Sequence, residues 1–205
     1  IITDGSISKI INHPKRLVIG DVQYPARIFS VWTASELAAI GIIEVTFDDS
    51  KKKDEQWYIN TNQTYTYDAD AGTVTATYGN ATAKAHADTL WTAQDETDGK
   101  GTEGEVATRG LKYNFIKTIK AQAAGILQDT DWYILRKADA DTDVPSAITT
   151  FRAAVRTKAA AMETLITNAS NTAAIETLYT YVNTADEGDP VVMERPLGEF
   201  PELGS

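Results

Sequence analysis

The chain has 205 residues, 42% of them apolar, with 19 Lys and Arg against 29 Asp and Glu, a net charge of -10. That length allows one medium domain or two small ones around an apolar core, while the acidic balance disfavours nucleic acid, whose phosphates require clustered cations. Without cysteine there is no disulfide framework and no thiolate nucleophile or metal ligand, and no apolar run approaches the ~20 residues that cross a bilayer.

Residues 1–15 carry no capping signal and only brief alternation, and read as an arm, either flexible or a strand that pairs with a neighbour. Leu17-Val18-Ile19, closed by Gly20-Asp21, and residues 27–32 read as two short strands. Thr33-Ala34-Ser35-Glu36 is a capping box: the threonine hydroxyl can accept from the Glu36 amide while the carboxylate reaches back. A short helix follows and Gly41 stops it. Residues 42–47 and 56–59 read as strands, and Lys51-Lys52-Lys53, bracketed by Asp48, Asp49, Asp54 and Glu55, as a solvated loop. Two Thr- and Tyr-rich runs, 64–67 and 73–78, flank Asp68-Ala69-Asp70-Ala71-Gly72 and predict a hairpin.

Residues 81–96 hold good helix formers and predict a helix with His86 exposed on it. The glycines at 99, 101 and 104 mark a boundary. Beyond it, Leu111, Phe115, Ile119, Ala123 and Ile126 recur at helical spacing, as do Ile148, Phe151, Val155, Ala159, Met162 and Ile166. Joined by a connection holding Asp139, Asp141, Asp143 and Pro145, they predict an antiparallel helical hairpin. Residues 168–171 read as a cap and 172–182 as a third helix. The expected class is α+β: an arm at 1–15, a mixed region at 16–97 with the Thr/Tyr hairpin, a helical domain at 104–185 and an extended acidic arm at 186–205.

Candidate chemistry is sparse. His13 and His86 are far apart, and no HxxxH, GxSxG, Walker or dinucleotide pattern occurs. Asp139, Asp141 and Asp143 begin like a calcium loop, but Val144 stands where glycine is needed and Thr150 where the bidentate glutamate is. No catalytic residue, cofactor or metal is therefore expected. Trp132, with Tyr133 beside it, either seals the hairpin against Phe151, the favoured reading, or faces a partner. Arg152 and Arg156 lie one turn apart and could bridge Asp129 or Asp131, fixing the register of the hairpin. Trp57, Tyr58, Tyr65 and Tyr67 are candidates for a surface that stacks on glycans.

Leu127-Gln128-Asp129-Thr130-Asp131-Trp132 and Phe151-Arg152-Ala153-Ala154-Val155-Arg156 resemble paired segments of bacteriophage tail-fibre assembly and tail-fibre-associated proteins. Residues 32–42 look like the entry segment of the same proteins, and together the three span about half the chain in the right order. The resemblance implies a non-enzymatic tail protein and leaves open whether it stays in the particle; extended arms at both ends favour a virion component at the tail tip, baseplate or fibre attachment, made in the host cytoplasm. Its partners would be other tail or fibre proteins, with neither nucleic acid nor membrane. A fibre-assembly chaperone that leaves the particle and a glycan- or host-surface-binding module are the alternatives.

Overall fold

Frequent turn residues cut the first part of the chain into short strands, and long runs without proline or a turn signal give long helices in the second. The computed structural model describes residues 1–204 and divides into two units, Ile1–Thr82 and a second beginning at Ala83. The class is α+β, as the sequence predicts.

In the first unit, β1 (Ile2–Thr3) and β2 (Ser6–Ile7) form a hairpin whose two-residue turn is Asp4-Gly5, both at positive φ. Residues 1–15 are thus no free arm: the Ile2 amide donates to the Gly41 carbonyl at 2.7 Å. β3 (Leu17–Ile19) pairs with β4 (Val22–Tyr24) around Gly20-Asp21. The second strand predicted at 27–32 is instead a helical turn, α1 (Ile28–Val31), in which Trp32 donates to the Ile28 carbonyl. The turn lets Ile28 join Leu17 and Ile42 in a small core. The capping box forms as read, opening α2 (Ala34–Ala39).

β5 (Val45–Asp48) is followed by β6 (Tyr58–Ile59), β7 (Thr64–Asp68) and β8 (Thr73–Thr77). The Thr/Tyr hairpin is β7–β8, its turn held by the Asp68 carboxylate accepting from the amides of Asp70 and Ala71. β5 adds to it in parallel, which local sequence does not announce, giving the order β5-β8-β7.

Gly41 shows how tightly the amino-terminal hairpin is seated. Its φ is +78°, and a Cβ there would lie 2.4 Å from the Ile2 carbonyl oxygen. Gly41→Ala is expected to destabilise the first unit by about 1–2 kcal/mol, read as a lowered denaturation midpoint with the second unit unchanged.

After β9 (Thr82–Ala83), the helix predicted over 81–96 is absent. The segment is extended, with β10 (Thr89–Leu90) paired to β11 (Val106–Thr108), and helix begins only at α3 (Ala93–Thr97). The carbonyls of Ala85 and His86 accept from the Leu111 and Lys112 amides, and Asp88 accepts from Gly110. These satisfy the orphan donors opening α4 (Leu111–Gln128), which a helix over 85–88 could not do. His86 is accordingly half-buried.

Thr92 and Asp95 make a second capping box, and Lys100 adds an ion pair. The Thr92 hydroxyl, then Lys100, hold the Asp95 carboxyl down to about 2, from 3.8. A depressed folded pKa means that this contribution to α3 is complete above 3.8 and is lost as pH falls toward 2. An NMR titration of Asp95 should show the low midpoint, and Thr92→Ala should return it toward 3.8.

α4 runs antiparallel to α6 (Ser146–Asn168), as their stripes require. Ile119, Ala123, Val155, Ala159, Met162 and Ile166 form the core between them, with Phe151 packed against it. The connection is not simply an acidic turn, since residues Asp131–Ala140 form a helix of their own, α5. Asn171 caps α7 (Thr172–Tyr179), which stops short of the predicted 182 because Val182 enters β12 (Val182–Asn183), paired with β13 (Met193–Glu194).

The tail differs most from expectation. Leu197 is wholly buried in the helical core, its amide donating to the Leu178 carbonyl, and Phe200 packs on the same core. Residues 186–205 are therefore not an extended arm awaiting a receiver: the described part returns to its own helices. Tail acidity hid this, because the two side chains that matter are single apolar residues between prolines and acids.

Candidate functional site

The predicted corner is built around Arg152. α4 ends at Gln128, leaving its last carbonyls without helical partners, and Arg152 Nη1 reaches the Leu127 carbonyl at 2.8 Å and Thr130 Oγ1 at 2.7 Å. The same nitrogen lies 2.8 Å from Asp131 Oδ1 in the first turn of α5. One cation thus closes the end of α4, where the helix dipole favours it, and fixes the start of α5. Of the two acids the sequence offers, Asp129 and Asp131, Arg152 pairs with Asp131. Arg156 does not share in it: its side chain is exposed, and no ion pair to it occurs among the described residues.

Trp132 does not seal the hairpin. Because α5 starts at Asp131, the indole stands on the outer side of a new helix, 49% exposed. It stacks on Tyr133 at 3.9 Å, and the Arg136 guanidinium lies 4.8 Å from its ring centroid. Ile134 and Leu135 are exposed beside it, and none of the residues of α5 is buried. Arg136 was missed by sequence reading, although its spacing of four from Trp132 would place the two on one helical face.

The candidate glycan-stacking aromatics separate. Trp57 and Tyr58 are buried, which removes their ring faces from the surface, whereas Tyr65 is exposed and Tyr67 half-buried. In the acidic connection, Lys137 Nζ lies 2.8 Å from both Asp141 and Asp143, and this lysine holds the Asp143 carboxyl below its ordinary value. No group of residues able to hold a metal ion occurs among the described residues.

A second apolar surface lies on the β12–β13 ribbon, where Val182, Val192 and Met193 are exposed. Its base is fastened by Arg195, which pairs with Glu199 at 2.7 Å and lies over the Tyr179 and Tyr181 rings, while the Tyr181 hydroxyl donates to Glu199. The ribbon is held in place, yet nothing covers its apolar side chains among the described residues.

The chain exposes 13737 Å² in all. A compact monomer of this mass is expected to expose about 9,400 Å², and even two wholly separate compact units about 11,300 Å².

Comparison of the chain with protein-family models, with curated proteins and with solved structures finds no match.

Proposed function

We propose that this chain is a non-enzymatic structural component of a bacteriophage tail, at the tip, baseplate or fibre attachment, which docks onto other tail subunits through the apolar faces of α5 and the β12–β13 ribbon. The carrying observation is the exposed apolar side chains of these two elements, Trp132, Ile134 and Leu135 on α5 and Val182, Val192 and Met193 on the ribbon, the condition of a subunit whose remaining burial comes from neighbours. The resemblance of residues 127–132 and 151–156 to tail-fibre-associated proteins supplies the setting. The predicted corner has the stiffness a mount needs, because Arg152 ties three helices together.

Quantitative mass spectrometry of purified particles of the encoding phage is the test. A fixed stoichiometric copy number is expected, and absence from particles would overturn the virion assignment. The chaperone reading draws on Trp132, an exposed aromatic within the resembling segment. It predicts that the neighbouring fibre protein is soluble only on co-expression, with no copies kept in particles. The burial of Trp57 and Tyr58 counts against a glycan-stacking face built on all four aromatics.

A further inference from the structure

The three-stranded sheet of the first unit ends at β5. On one side β5 pairs with β8, and on the other no backbone hydrogen bond is found among the described residues. Such an edge offers a row of free N–H and C=O groups that another extended backbone can satisfy along its whole length. Residues 42–48 contain neither proline nor lysine, and their charges are the two acids Glu44 and Asp48.

The two faces of this strand border two adjoining clefts, which share Phe29, Leu37, Ile42, Ile43 and Glu44. Val45 and Phe47 line one of about 690 Å³ together with Ile7 and Ile10. Thr46, pointing the other way as a strand's pleat requires, lines one of about 490 Å³ with Phe29 and Trp32. A strand laid along β5 would send alternate side chains to the two sides. Glu44 borders both clefts, exposed and without an ion-pair partner among the described residues.

We infer that the outer edge of β5 receives an extended segment of a partner protein, apolar at alternate positions and carrying a Lys or Arg beside Glu44. Charge selects this occupant over a second copy. Two β5 strands paired antiparallel about Thr46 would set Glu44 of each opposite Asp48 of the other, and like charges directly opposed across a ladder are unfavourable. A cationic strand meets a carboxylate instead. The inference rests on the docking reading above but not on the virion assignment, and its test uses the purified chain alone.

The probe is a capped hexapeptide alternating valine with threonine and one lysine, titrated into the full chain while backbone amide exchange is followed. Slowed exchange at residues 43–48 is expected. N-methylation of alternate peptide nitrogens, which removes donors and leaves side chains intact, should weaken binding at least tenfold. Glu44→Lys, a change at an exposed position, should reverse the preference toward a peptide with glutamate in place of lysine. The inference is overturned if parent and N-methylated peptides bind alike, if protection falls elsewhere, or if no peptide binds at millimolar concentration. Concentration-dependent dimers protected at 43–48 would also overturn it, assigning the edge to a second copy.

Discussion

Leu197→Ala is expected to destabilise the helical unit by about 3–4 kcal/mol and lower its thermal midpoint by about 15 °C. The side chain has no accessible surface and joins residues of α4 and α6 in one core. Truncation would leave a cavity that those helices cannot close, because Ala123 and Ala159 already bring them together with little side chain between. The amide of residue 197, bonded to the Leu178 carbonyl, should lose its exchange protection as the tail loosens. Leu203→Ala, at a position 52% exposed, is the control and should change stability by less than about 0.5 kcal/mol.

Arg152→Ala should cost about 2–3 kcal/mol, measured by chemical denaturation of the same unit. The ion pair is the smaller part of this, since Asp131 is half in water and exposed pairs contribute about 0–1 kcal/mol. The larger part is the Thr130 hydroxyl, in a residue only 2% exposed, together with the Leu127 carbonyl, both of which lose a charged donor. Asp131→Asn separates the two, with an expected loss under about 1 kcal/mol. If both variants lose the same amount, the ion pair and not the helix-end hydrogen bonds holds the corner.

What could be read from the sequence was read where one local cause dominates. The Thr33 and Asn171 caps, the stripes of α4 and α6 and the Asp68–Gly72 turn each depend on neighbours within a few residues, and each forms. Residues 81–96 misled because alanine's helix propensity was outweighed by a distant demand: carbonyls 85 and 86 serve the opening of α4. Residues 27–32 misled because a short, largely apolar run can close a turn as well as a strand when one side chain, Ile28, has a core to enter. The parallel pairing of β5 and the return of Leu197 depend on contacts remote in sequence. The two-residue turn at Asp4-Gly5 was missed, although that pair favours positive φ.

For the corner, Arg152 was identified and its partner Asp131 with it, because charge and helical spacing are local information. Trp132 was placed inside because an aromatic after a helix end is ordinarily covered. The restart of helix at Asp131 turns it outward and leaves it half exposed, which is why the proposal is a docking surface and not a sealed hinge. Met193 belongs to the same account, on a ribbon that sequence reading took for part of an arm.

Hydroxyl-radical footprinting of Trp132 and Met193, in the free chain and in purified particles, tests the docking claim most directly. Both side chains are about half exposed in the free chain, so both should oxidise readily there and be protected several-fold once neighbouring subunits cover them. Equal oxidation in the two states would contradict the account.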